Sequence, residues 1–170
     1  MEARLDGYLV EKYPKIFINR YESIKNSLMG FGFEHEDGWF WLLDQLCSSI
    51  QFYIDSHNEY QKDESKKISQ VVADQVKEKF GMLCFYYSGG DDIIRGMVKL
   101  AVEMSGSICE KCGTTEHVGK TSVWIFTICK DCYDKDEHIS RHQWKENESS
   151  IFIPSKELRK IKIDKINSED

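Results

Sequence analysis

Apolar side chains recur at helical spacing in four stretches of the chain and at strand-like density in two others. Leu5, Tyr8 and Leu9 predict a short first helix that ends near Pro14. Phe17, Tyr21, Ile24 and Leu28 predict a second, from Lys15 to a stop at Gly30. The clearest period is Trp39, Leu42, Leu43, Leu46, Ile50, Tyr53, Ile54 and His57, one face of a long helix. Asp37 stands where its carboxylate would cap that helix and meet its positive end. Cys47 lies beside the stripe and reads as a small buried hydrophobe. Ile93, Ile94, Met97, Val98, Ala101 and Met104 mark a further amphipathic helix, capped from Ser88-Gly-Gly-Asp-Asp92.

Between these helices the pattern changes. Residues 55–70 are polar throughout and predict a long solvated loop or a frayed helix end. Val71–Val76 and Met82–Tyr87 then predict a β-hairpin, with Gly81 supplying the backbone angles of its turn. On the second strand Leu83, Phe85 and Tyr87 alternate with Met82, Cys84 and Tyr86. Neither set is polar, so the sheet is expected to be covered on both faces.

Two Cys-x-x-Cys knuckles follow, Cys109/Cys112 and Cys129/Cys132, separated by sixteen residues. This is the spacing of a four-thiolate zinc site. Gly113 suits the left-handed turn that closes such a knuckle. Val123–Ile128, β-branched and aromatic, reads as a strand delivering Cys129 to the metal. The competing uses of four thiols are a pair of disulfides and a dithiol redox pair, which needs only one knuckle and a thioredoxin-like setting. The expected cofactor is structural Zn2+, which would stabilise the carboxy-terminal half outright.

The fold class that follows is α+β: helices packed around a small hairpin-based antiparallel sheet, with a C-terminal zinc ribbon. The expected organisation is N-terminal helices over 1–30, an α+β core over 31–108, and the ribbon over 109–133 packed on that core. A polar and basic extension fills 134–170, where strand and helix signals compete after Pro154.

Composition narrows the function classes. Hydrophobic content of 41% and charged content of 31% are those of a soluble globular protein. No apolar run is long enough to cross a bilayer, and the amino terminus lacks the features of a signal peptide. Six cysteines in that setting favour reduced thiols and a metal, and the expected location is the cytoplasm. The net charge of −6 weighs against non-specific binding to duplex nucleic acid. It favours a basic protein partner or a small ligand held in a pocket.

Asp37-Gly38-Trp39 at a helix start, Val76-Lys-Glu-Lys-Phe-Gly81 before Leu83-x-Phe85-Tyr86, and the helix leading to the knuckles together carry a resemblance. Over about residues 33–133 the chain resembles a family of small proteins encoded by phages and prophages. That family has Arg where this chain has Cys84, and often His at the last metal position, where Cys132 is an equally good ligand. Any anion-binding role of that Arg is absent here. The resemblance implies a phage accessory role with no assigned chemistry. Such accessory proteins often bind and disable host machinery, including antiviral defence.

The site expected outside the metal centre is the Lys77-Glu78-Lys79-Phe80-Gly81 turn. Lys77 and Lys79, with Phe80, Trp39 and Tyr86, would hold a phosphate and stack a base, or dock a host protein. The structural alternative is a hairpin with solvated lysines and Phe80 in the core. Glu34, His35, Glu36, Asp37, Asp91 and Asp92 would be the groups of a metal-dependent hydrolase, although capping explains Asp37 and the Asp91–Asp92 pair. His138 and His142, four apart, would share a helical face, and His117 lies between the knuckles. Lys156, Arg159, Lys160, Lys162 and Lys165 form a basic cluster that suggests a nucleic-acid-binding regulator as a second reading. The first expectation is a non-enzymatic accessory protein that binds a host protein or a nucleotide-like ligand, with no membrane association.

Overall fold

The computed structural model describes residues 1–147, so the basic cluster after Lys156 lies outside the described residues. Helix α1 spans Ala3–Lys12 and buries Leu9 and Val10. It stops at Tyr13, whose N–H still donates to the Leu9 carbonyl, because Pro14 disfavours helical angles at the residue before it. The helix expected from Lys15 does not form. Residues 15–27 run as successive turns into a short 3-10 turn at Leu28–Phe31, capped by Ser27 Oγ. Ile16 and Phe17 are buried, whereas Tyr21, Ile24 and Leu28 are exposed.

Tertiary partners explain that departure. The Ile16 carbonyl accepts from Ala73 N–H at 2.8 Å, which diverts it from a helical ladder. Arg20 grips Asp6 through both Nε and Nη2, at 2.6 Å for the closest pair, and folds the segment back onto α1. Asn19, Ser23, Asn26 and Ser27 also favour turns over helix interiors.

Strand β1 (Phe33–Glu34) pairs in parallel with β2 (Val72–Lys79), which pairs antiparallel with β3 (Met82–Ser88). A register shift between Ala73 and Gln75 marks a bulge in β2. Helix α2 (Phe40–Tyr60) carries the long apolar stripe, with Leu42, Leu43, Leu46, Cys47, Ile50 and Ile54 buried. It continues through residues 55–60, the first part of the segment expected as a solvated loop or a frayed helix end. Helix α3 (Asp92–Ser105) begins at Asp91, whose carboxylate accepts from Ile93 and Ile94 N–H. It packs on α2 and on β3.

Among the described residues only one face of the sheet is buried. Val76, Leu83 and Phe85 point into the core, and the opposite face, with Lys77, Cys84 and Tyr86, remains partly open. The expectation of cover on both faces fails because α2 and α3 lie on the same side.

A second small sheet orders β5 (Thr127–Cys129), β4 (Val118–Thr121) and β6 (Trp144–Glu146), all antiparallel, with helix α4 (Lys130–Lys135) following β5. The ribbon therefore does not end at residue 133. Ile139 and Trp144 join Val118, Ile128 and the cysteines in its core, and Trp144 Nε1 donates to the Ile128 carbonyl at 3.0 Å. Asp136, bonded to the N–H groups of His138 and Ile139 and paired with Lys111, turns the chain back toward β4. The architecture is α+β, with a cysteine cluster at one end of the second sheet, formed by the loop after α3, the end of β5 and the start of α4.

Candidate functional site

The first knuckle is built on a tight turn. Gly113 sits at φ +78°, and its N–H donates to the Cys109 carbonyl at 2.8 Å. Cys109 N–H donates to Thr114 O and anchors the loop on its other side. The second knuckle is the start of α4, where Cys129 Sγ accepts from Cys132 N–H at 3.4 Å.

The four sulfurs of Cys109, Cys112, Cys129 and Cys132 lie within 4.8 Å of one another, with Cys112 and Cys129 3.7 Å apart. Four sulfurs at about 2.3 Å from a tetrahedral ion stand somewhat under 4 Å from each other, so the donor set fits a metal. Burial pushes the Cys109 thiol up to about 11 and raises Cys132 as well. A cation that displaces those protons is what would make four clustered sulfurs compatible with burial. Cys47, also buried, lies in the helical core apart from the cluster.

The rest of the chain is braced against this centre. Gly38 N–H donates to the Glu110 carbonyl at 2.7 Å, and Trp39 Nε1 donates to the Ile108 carbonyl at 3.0 Å. Trp39 is fully buried. It is therefore a strut under the first knuckle, not part of a ligand surface as the sequence suggests. Beside it His35 and Glu110 are each 6% exposed. Among the described residues His35 Nε2 and Glu110 Oε2 have no hydrogen-bond partner. Burial lowers the His35 imidazole to about 4 and raises the Glu110 carboxyl to about 7.

The expected hydrolytic cluster is not assembled. Asp91 caps α3 and accepts from Tyr53 OH at 2.9 Å, and Asp92 pairs with Arg95. Asp37 accepts from Glu2 N–H instead of capping α2, and Glu34 accepts from Gln75. Each of these carboxylates holds a piece of local structure. His117 pairs with Glu146, and His138 and His142 flank a 3-10 turn (Ile139–Arg141), so they share no α-helical face.

Lys77, Lys79 and Phe80 stand together at the end of the hairpin, and Tyr86 reaches them only through Lys77. Lys77 and Lys79 share one face of β2, and the Lys77 ammonium lies 5.8 Å from the Tyr86 ring. Lys79 lies 5.6 Å from the Phe80 ring. Phe80, expected in the core by the structural alternative, is 68% exposed. With Gly81 it forms a two-residue turn with both φ values positive, at 55° and 70°. Such a turn prefers Asn or Gly at its first position, so Phe stores strain there of about 1–2 kcal/mol.

A second tip meets this one. The expected strand over Val123–Ile128 is regular only at Thr127–Cys129, and the residues before it form the tip of the ribbon hairpin. Val123, β-branched and at φ +66°, is 86% exposed, and Trp124 is 69% exposed. Thr127 Oγ1 donates to the Gly81 carbonyl at 2.5 Å, and a side chain on Gly81 would touch Ile125. Between the tips lies a groove of about 390 Å³ lined by Lys77–Phe80 and Val123–Phe126. Sequence reasoning missed Val123, Trp124 and Ile125 as site residues. Their one signal was position: the ribbon must turn midway between its knuckles, where this apolar run begins. No protein-family model matches the chain, and no curated protein or solved structure is significantly similar to it.

Proposed function

We propose that the chain is a zinc-stapled, non-enzymatic binding protein whose ligand surface is the groove between the two hairpin tips. The observation that carries this reading is the pair of strained, exposed apolar residues, Phe80 and Val123, at adjoining tips. Folding gains nothing from a Phe and a Val held in left-handed backbone and turned toward water. Recognition of a partner does gain from it, because rigid aromatic anchors on tight turns lose little entropy on binding.

The metal in this reading is zinc. Four thiolates closing all positions of a tetrahedral site are its structural signature and leave no open position for catalysis. The ribbon core is small, so the ion would fix the angle at which the Val123–Phe126 tip stands beside the Lys77–Gly81 turn. The ligand is a host protein or a nucleotide-like molecule, and the role is that of a phage-type accessory protein in the host cytoplasm, including interference with host defence. Support for that role comes only from the resemblance of the Gly38-Trp39, Lys77–Gly81 and double-knuckle motifs to those of phage-encoded proteins.

Native mass spectrometry of the protein purified from infected cells tests the reading. One zinc per chain, with a bound ligand lost in a Phe80→Asp/Trp124→Asp variant that keeps its zinc, is the expected result. A ligand retained by that variant overturns the groove, and a chain without zinc overturns the staple.

A further inference from the structure

The groove combines two features that point to one class of ligand. Its rims and floor are aromatic, from Phe80, Trp124 and Phe126, and its flank is cationic. Lys77 and Lys79 line it, and Lys120 stands beside it with its ammonium 3.4 Å from Met82 Sδ, Met82 being the cross-strand partner of Lys79. None of these three lysines forms an ion pair among the described residues. Elsewhere on the surface Lys12, Lys15, Lys66, Lys67, Lys111 and Lys130 each face a carboxylate, while Lys25, Lys62, Lys99 and Lys135, like the groove lysines, form no ion pair among the described residues. The groove also carries one carboxylate, Glu78, which accepts from Gly81 N–H at 2.6 Å and keeps its charge, so the lysines outnumber it three to one.

Resting on the groove as the ligand surface, we propose that it takes unpaired nucleotides of a single-stranded nucleic acid. Phe80 and Trp124 would stack bases, and Lys77, Lys79 and Lys120 would meet the phosphates. Exposed aromatic faces beside a basic track are the physical basis of single-strand binding, since every base has a face to stack and every link carries a charge. A duplex fits badly on two counts. Its base faces are already stacked on one another, and its dense phosphate lattice would meet a chain of net charge −6 beyond the small cationic flank. An apolar peptide would fill the groove but leave three ammonium groups without a counter-charge.

The test uses the full-length zinc-loaded chain and a fluorescein-labelled oligo(dT) strand of about a dozen nucleotides, followed by anisotropy across a salt series. Three phosphate contacts predict a slope of about −2 in log K against log salt, from about −0.7 per contact on a single strand. Trp124→Ala is expected to weaken binding at least fivefold, the lower end of what losing one stacked base costs. Lys77→Gln and Lys79→Gln should each shallow the slope by about 0.7. Trp41→Ala, an exposed tryptophan on α2 outside the groove, should leave binding unchanged.

No binding to the strand at low salt overturns the proposal, as does equal binding of a matched duplex. Equally effective competition by dTMP would assign the site to a free nucleotide and also overturn it. Adsorption to phosphatidylserine vesicles without any anisotropy change on the strand would reject it in favour of a lipid surface. The broader groove reading survives such failures only if the Phe80→Asp/Trp124→Asp variant still loses its co-purifying ligand, and falls if that ligand is retained.

Discussion

Gly38 presses its backbone against the first cysteine knuckle, donating its N–H to the Glu110 carbonyl at 2.7 Å. A Cβ at this position would overlap the Cys109 carbonyl oxygen and stand 2.6 Å from the Glu110 oxygen. The segment that starts the long helix and the segment that carries the first cysteine knuckle are thus one packing unit, although about seventy residues separate them. Gly38→Ala should force these backbones apart at a cost of about 1–3 kcal/mol, the range for overpacking a filled core. Thermal unfolding should show a lower Tm, and zinc release to a chromogenic chelator should be faster. An unchanged Tm and release rate would show that the two segments are independent.

Metal removal should act unevenly. The main core, from Leu9 to Ala101, has its own buried side chains, whereas the ribbon core rests on five buried residues, two of them cysteines. Chelation should abolish the near-ultraviolet signal of Trp144 and Tyr133 while most helical circular dichroism remains. Cys109→Ser, which removes the most buried ligand, should reproduce that state without chelator.

Acid should weaken the fold through His35. Its Nδ1 contacts the Glu36 carbonyl and its Nε2 is buried without a partner. Burial, assisted by the nearby amino terminus and opposed by Glu36 and Asp37, lowers its pKa from 6.5 to about 4. The unfolded chain therefore binds the proton more readily than the folded one. This contribution is fully present above pH 6.5 and is lost as pH falls toward 4, by about 3 kcal/mol in all. Urea unfolding at pH 7 and pH 4.5 should differ less in His35→Gln than in the parent. Equal differences would place the acid sensitivity elsewhere.

Phe80 offers a trade between stability and binding. Asn at this turn position relieves the left-handed strain and removes only a side chain that is 68% exposed. Phe80→Asn should therefore raise stability by about 1 kcal/mol while weakening ligand binding. A denaturation midpoint that falls would mean that the Phe80 ring supports the hairpin after all.

The carboxylate of Asp6 should matter for the path that the sequence misread. Asp6→Asn would leave the half-buried Arg20 guanidinium with a weaker partner, at a cost of about 2 kcal/mol from the lost charge-assisted bonds. The melting temperature should fall, and protease sensitivity should rise at residues 15–27, which this pair folds back onto α1.

What the sequence by itself determined were features set by spacing along the chain. Two knuckles sixteen residues apart bring four sulfurs together whatever surrounds them. Gly81 between β-branched and aromatic runs makes a hairpin, and Asp91 before Ile93 and Ile94 makes a cap, because each bond involved spans only a few residues. The tertiary structure decided which faces were covered. The sequence suggests a ligand surface for Trp39 and Phe80 alike, but Ile108 and the knuckle bury the first, and a left-handed turn carries the second into water. Residues 15–28 have a helical pattern, yet Ala73 and Asp6, distant in sequence, claim the Ile16 carbonyl and the Arg20 side chain. Val123 and Trp124 belong to the groove only because Thr127 bonds to Gly81 across the join between the two sheets. Local chemistry fixes a residue's neighbours along the chain, whereas exposure depends on what the rest of the fold brings against it.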